Sequence, residues 1–316
     1  MSLTGAEDQV VAAANLRKTY GDVVAVDDLS LEVSPGEVVG LLGPNGAGKT
    51  TAIKMLTTLI PIEAGSASVG YFDVTTEGED VRRSIGLAGQ SAAVDDRLTA
   101  RENLDLFARL YRLPRAERKA RVDELIAKFR LSDFADRPTG TLSGGQRRRV
   151  DIVAALIADP PVVFLDEPTT GLDPRSRADI WEEIRRLADG GTAVVLTTQY
   201  LDEADRLADR IILIDKGRVV VEGSQSDLKS RLERDVLQVR VSDPADARRA
   251  LAAVGGEPGR LVDDQTVHVP VDNAAGSLRA LDAIRGAGVE LDDFSLNKPT
   301  LDDVFMAFTG GAREEP

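Results

Sequence analysis

The stretch Gly43-Pro-Asn-Gly-Ala-Gly-Lys-Thr50 constrains this chain more than any other. It fits the spacing G-x-x-x-x-G-K-[S/T] without a gap, and that spacing cradles phosphates when it joins a strand to a helix. The flanks agree. Glu37-Val38-Val39-Gly40-Leu41-Leu42 before it is an apolar run of strand length, and Ile53, Leu56 and Leu59 after it recur at helical spacing. Gly43, Gly46 and Gly48 let the backbone wrap closely, so that several N–H groups point inward. Pro44, Asn45 and Ala47 complete the loop, and a helix starting at Lys49-Thr50-Thr51 sets its partial positive charge behind it. On this reading Lys49 reaches the terminal phosphates and the Thr50 hydroxyl binds Mg²⁺. The bland alternative, a Gly-rich connecting loop, would not need the strand and helix on either side.

A second constellation lies more than a hundred residues on. Pro161-Val-Val-Phe-Leu165 is continuously apolar, as strands of a parallel sheet are. It ends in Asp166-Glu167, two carboxylates at the strand end where α/β sheets place chemistry. Successive side chains point opposite ways, so Asp166 can hold Mg²⁺ while Glu167 polarises the attacking water. An acidic pair after an apolar strand is often only surface; the phosphate loop in the same chain favours function.

Other residues are weaker candidates. Tyr20 could stack on a nucleobase or be a half-buried strand-end tyrosine, and its spacing does not decide. Gln90 follows a short strand candidate, Ile85 to Leu87, and could offer an amide oxygen to Mg²⁺. Ser143-Gly144-Gly145-Gln146 has the shape of a capping box, and its bare glycines also suit a second anion site. The run Arg147-Arg148-Arg149 reads as a solvated helix face. Asp173 caps a helix with Pro174 at its first position. Gln199 stands at the end of a buried strand, Thr192 to Thr198.

The rest of the chain sets organisation. Residues 1 to 8 read as a loose tail, then strands at Val10 to Asn15 and Leu29 to Val33. Thr99-Ala-Arg-Glu102 is another capping box, opening a helical block. Arg115 to Arg130 continues it with Val122, Leu125, Ile126 and Phe129 inward. Asp215-Lys-Gly217-Arg between apolar runs is a hairpin signal. The pattern resets near residues 222 to 235, after which β-α-β…α-β order suggests a small α+β domain, ferredoxin-like in outline. His268, the only histidine, sits opposite the valines of its strand and reads as solvent-facing.

Length and charge bound the function. The 316 residues suggest two domains. A net charge of -14 argues against nucleic-acid binding and against direct docking on an anionic membrane. No cysteine is present, so disulfides and thiolate metal sites are excluded, as suits a reducing compartment. The polar, acidic start is unlike a signal peptide, and no apolar run approaches the ~20 residues a bilayer requires. The chain therefore reads as a soluble cytoplasmic protein.

Together these residues resemble the ATP-binding subunit of ABC transporters, over about residues 9 to 230. The likeness rests on Gly43–Thr50 as Walker A, Gln90 as the Q-loop and Leu142-Ser-Gly-Gly-Gln146 as the signature. Val162–Asp166 with Glu167 matches Walker B and the catalytic glutamate, and Gly171-Leu-Asp173 matches the D-loop. Tyr20 then falls at the family's adenine-stacking position. The resemblance implies an α/β P-loop NTPase of ABC type, with a mixed sheet and a helical subdomain at about 91–158, followed by a small α+β domain at 235–312. It implies ATP and Mg²⁺ as cofactors and a head-to-tail homodimer. In that dimer Ser143–Gln146 of one subunit faces ATP held by the other, and Asp173, in the D-loop, also counts among the nucleotide-binding residues. It further implies a separate integral membrane permease and a place on the cytoplasmic face of the membrane. Gln199 departs from the family, which usually has histidine there. Glutamine can donate to the γ-phosphate but carries no proton charge, so Glu167 is expected to remain the base. The run Thr197-Thr-Gln-Tyr-Leu-Asp-Glu-Ala-Asp205 and the end Ser295-Leu-Asn-Lys-Pro-Thr-Leu-Asp-Asp-Val-Phe305 are similar to the daunorubicin-resistance branch of exporters, implying efflux of a lipophilic compound. The rival is a soluble ABC ATPase without a membrane partner. A single set of motifs, the absence of cysteine and an acidic surface weigh against it.

Overall fold

The computed structural model describes residues 9–232, 235–255 and 259–309. The expected tail at residues 1 to 8 and the end of the second domain at 310 to 312 lie outside them. Contacts divide the chain after Ser224 into two compact units.

The first unit opens with β1 (Val11–Tyr20) and β2 (Val23–Val33), a hairpin turning at Gly21-Asp22. Both strands run longer than the sequence pattern suggests. The reason is a pair of irregularities: Asn15 and Asp28 adopt positive φ, the register shifts beside them, and the two side chains bond each other. A bulge of this kind breaks the alternation on which a strand is read. Next comes β3 (Val38–Leu42), buried at all five positions, and then α1 (Lys49–Leu56). This helix ends earlier than its periodicity implies. Thr58 takes a left-handed conformation and leaves Leu59 exposed.

The chain continues through β4 (Ala64–Val69), β5 (Phe72–Asp73), α2 (Gly78–Ser84) and β6 (Ile85–Ala88). A helical block follows: α3 (Ala100–Leu110), α4 (Arg115–Lys128) and α5 (Gly144–Ala155). Thr99 and Ser143 head α3 and α5 with complete capping boxes to Glu102 and Gln146. Then come β7 (Val162–Asp166), α6 (Pro174–Asp189), β8 (Ala193–Thr198) and α7 (Leu201–Leu207). The unit closes with β9 (Arg210–Asp215) and β10 (Arg218–Gly223), joined over Lys216 and Gly217, both at positive φ.

Two sheets result. One is antiparallel, ordered β2-β1-β4-β5. The other runs β10-β9-β3-β8-β7-β6, parallel throughout except for the antiparallel edge strand β10. The parallel strands are buried on both faces. Val163, Leu165, Val194 and Leu196 pack with the helical block, while Val162, Phe164, Ala193 and Val195 pack with α1 and the antiparallel sheet. Burying one such side chain stabilises the fold by roughly 1.5–3 kcal/mol. The registers Leu42↔Thr198 and Asp166↔Thr197 bring the C-terminal ends of β3, β8 and β7 together. Open α/β sheets bind ligands at such ends.

The second unit begins with α8 (Gln225–Ser230) and holds β11 (Asp235–Arg240), α9 (Pro244–Ala253), β12 (Arg260–Leu261) and β13 (Thr266–Val271). It ends with α10 (Ala274–Gly286), β14 (Asp293–Asn297) and α11 (Leu301–Thr309). Its antiparallel sheet is ordered β12-β13-β11-β14, the split β-α-β arrangement of ferredoxin-like folds. Leu237 and Val239 of β11, with Val267, Val269 and Val271 of β13, meet Ala247, Ala250, Ala280 and Ile284 of α9 and α10. The opposite face carries His268, whose side chain is only 14% exposed. The expectation of a solvent-facing histidine is therefore wrong: Asp303 of α11 lies against it, and strand alternation alone cannot show that a helix covers the second face.

Candidate functional site

The loop between β3 and α1 is built so that only glycine fits at its ends. A Cβ on Gly43 would lie 2.1 Å from the Ile214 carbonyl oxygen, and one on Gly48 would lie 2.2 Å from that of Ala25. Gly48 also has φ 105°, which a side chain would strain. Helical hydrogen bonding starts at once, with Ala52 N–H donating to Gly48 O at 2.9 Å. The first N–H groups of α1 then have no partner within the helix and are free for an anion. Lys49 Nζ is held inside the loop, donating to Gly43 O at 2.7 Å and Pro44 O at 2.9 Å. Burial pushes this ammonium below its ordinary value, and the nearby Glu167 and Asp166 carboxylates pull it back. An anion in the loop would restore the charged form further.

The loop and β7 meet through Thr50, whose Oγ1 donates to Asp166 Oδ1 at 3.0 Å. Gln90 reaches the same hydroxyl at 3.4 Å. Its amide carries oxygen and nitrogen on one carbon, so either can face that point. Thr50, Asp166 and Gln90 together offer hard oxygen donors, the set that suits Mg²⁺.

Thr197 of β8, to which the sequence assigns no role of its own, ties the Asp166 carboxylate to the Glu167 backbone. It is fully buried. Its hydroxyl donates to the same Asp166 oxygen at 2.5 Å and accepts from Glu167 N–H at 3.0 Å. Glu167 has φ +48°, a conformation that costs a non-glycine residue free energy, and the Thr197 bond helps to fix it. The Glu167 carboxylate accepts from Thr170 Oγ1 at 3.1 Å and lines a recess of about 400 Å³ with Gln90, Gly144 and Thr170.

The arginine run corrects the sequence reading. Arg148 is buried, not solvated. Its guanidinium donates to the carbonyl oxygens of Gly89, Asp166 and Pro168 and to Asp151 Oδ2. Asp151 in turn accepts from Ala93 N–H at 2.7 Å. Burial opposes the charged form of both partners, lowering Arg148 and raising Asp151. Arg148 thus clamps the strand ends that precede Gln90 and Glu167. Three adjacent arginines gave no hint that the middle one turns inward. Arg147 and Arg149 are half-buried and pair with Asp96 and Asp179.

Other candidates sit apart. Tyr20 ends β1, half exposed, with Lys18 Nζ 5.7 Å from its ring centre. Ser143 and Gln146 cap α5, and Asp173 caps α6 by accepting from Arg175 and Ser176 N–H, both at 3.1 Å. Gln199 follows Thr198, whose carbonyl accepts from Gly43 N–H at 3.3 Å, so it stands beside the start of the loop. Among the described residues none of these five hydrogen-bonds the loop's side chains. Sequence reasoning also missed Glu203. Its Oε1 accepts from Thr169 Oγ1 at 2.7 Å and from Trp181 Nε1 at 3.0 Å, and burial raises its carboxyl above the ordinary range.

A family model for the ABC transporter domain matches residues 26–170. The chain is 45% identical over 309 residues to the daunorubicin resistance ATP-binding protein DrrA2 of Streptomyces coeruleorubidus, covering 96% of each. The chain belongs to the ABC transporter family. As the family's ATP-binding subunit it is an ATPase. It is also 47% identical to the daunorubicin/doxorubicin resistance ATP-binding protein DrrA of Streptomyces peucetius, over 96% of this chain and 93% of that one. Among solved structures it is similar to a dimeric ATP-binding cassette holding ADP and Pi after hydrolysis. That likeness has a TM-score of 0.61 at 31% identity and covers 68% of this chain and 98% of that one. Among the described residues no helix is long and apolar enough to cross a membrane.

Proposed function

We propose that this subunit couples ATP binding and hydrolysis, in a head-to-tail homodimer, to efflux of a lipophilic compound through a separate membrane permease. The observation that carries the catalytic half is the Thr50–Asp166 bond, which joins the phosphate loop to the acidic strand end across 116 residues. The amides of Gly43–Thr51 and Lys49 hold the triphosphate. Thr50, Asp166 and Gln90 hold Mg²⁺, which when bound neutralises charge on the β- and γ-phosphates. Glu167 takes a proton from the attacking water, and Gln199 orients the γ-phosphate by donating a hydrogen bond. Tyr20 stacks on the base. Ser143–Gln146 and Asp173 complete the site of the opposite subunit, which accounts for one chain carrying two anion-ready helix starts. The relatives' names, resistance to daunorubicin and doxorubicin, support export and a permease on the membrane.

A Glu167→Gln chain tests the dimer. With ATP and Mg²⁺ it should run as a dimer by light scattering, and a monomer under those conditions would refute head-to-tail closure. Co-expression with a neighbouring membrane protein tests the partner: the subunit should co-purify with it from membranes, and failure to do so would favour the soluble reading. Because Gln199 does not titrate, the hydrolysis rate should be flat through pH 6.5. A sharp single-group transition there would count against the assignment.

A further inference from the structure

The geometry points to a small-molecule site in the second unit that takes an apolar carboxylate. A cavity of about 410 Å³ opens on the face of the sheet away from α9 and α10. That volume lies in the range of ligand pockets. Its walls are apolar: Leu232 after α8, Val236 of β11, Pro270 of β13, and Met306 and Ala307 of α11. Its polar end is Arg260, His268 and Asp303. Such a composition, an apolar body meeting a few convergent polar groups, is what small-ligand sites share.

The polar end is short of acceptors. Asp303 Oδ1 accepts from Arg260 Nη2 at 2.7 Å, and Oδ2 accepts from Thr300 N–H at 2.8 Å and Thr300 Oγ1 at 2.7 Å. The carboxylate is thus largely committed. Arg260 uses one of its nitrogens in that bond, and among the described residues the others have no protein partner. His268 Nδ1 is buried without a hydrogen-bond partner and lies 3.7 Å from Asp303 Oδ1, beyond hydrogen-bond reach. Buried polar atoms are rarely left so. A carboxylate seated here would take the spare guanidinium donors in the charge-assisted geometry that arginine favours. Its second oxygen gives His268 Nδ1, otherwise without a partner, an acceptor in the tautomer that carries its proton there. The groups facing His268 are Asp303 from α11, Arg260 opposite it on β12 and the neutral Gln238 opposite it on β11. No other ionisable side chain lines the cavity among the described residues.

The full, tag-free chain tests this with 2-naphthoate as the probe. His268 is the only histidine, so the protein gives a single imidazole Hε1 resonance by proton NMR. Naphthoate should shift that resonance saturably. The neutral 2-naphthalenemethanol at the same concentration should leave it in place. Arg260→Gln should weaken naphthoate about tenfold or more, the loss expected of a charge-assisted pair. An imidazole unmoved by millimolar naphthoate, or moved equally by the neutral analogue, would overturn the site. Should Arg260→Gln fail to fold, the comparison of the two probes on the parent chain decides alone.

Discussion

At the scale of single residues, one hydroxyl holds the acidic pair in place. Thr197 bonds both Asp166 and the Glu167 amide, so Thr197→Val removes two constraints without changing shape. Turnover should fall about 10- to 100-fold with ATP binding retained, the loss of roughly 1.4–2.7 kcal/mol in the transition state, and Thr197→Ser should recover most of it. An unchanged kcat in the valine variant would show that the bond does no positioning. Glu203 gives a pH test. Burial raises its carboxyl, so the stability it contributes is present below the unfolded value of 4.5 and is lost as pH rises through the folded one. Glu203→Gln keeps an acceptor for Thr169 and Trp181 without the charge. Its melting temperature relative to the parent should rise from pH 5 to pH 8; a gap that stays constant would refute the buried charge. Asp166 and Glu167 were legible because they follow an apolar strand in sequence. Thr197, Arg148 and Glu203 were not, because a buried polar residue declares itself mostly through partners far along the chain, up to 59 residues away for Arg148 and Gly89.

At the scale of elements, close packing of α5 on α6 depends on Gly145. A Cβ there would lie 2.4 Å from Ser176 Oγ and 2.5 Å from its Cβ. Gly145→Ala should cost about 1–3 kcal/mol by thermal or urea unfolding. Adding Ser176→Gly should recover part of that, and an alanine variant as stable as the parent would contradict the contact. Helix starts were readable in advance because a capping box is local: Thr99 with Glu102 and Ser143 with Gln146 span three residues each. Thr99→Ala should accordingly cost about 1 kcal/mol. Strand extent in β1 and β2 was not readable, since the bulge at Asn15 and Asp28 depends on pairing between strands. The two-residue β12 is too short to carry a pattern at all.

At the scale of the molecule, the parallel sheet does the bringing-together. Its order, β10-β9-β3-β8-β7-β6, interleaves segments far apart in sequence, and no local pattern encodes it. The order places β8 between the loop strand and the acidic strand, so Thr197 pairs with Leu41 on one side and Asp166 on the other. The chain divides after Ser224 into two units, and the two relatives' alignments, each covering 96% of this chain, extend over both. The central claim concerns the first unit alone: the loop after Leu42 holds the triphosphate, and Glu167 drives water at it. A single-turnover assay with γ-labelled ATP, Mg²⁺ and Glu167→Gln tests it most directly. The variant should bind ATP as tightly as the parent and release phosphate at least about 100-fold more slowly, as loss of a general base implies. Phosphate release at the parent's rate would contradict it.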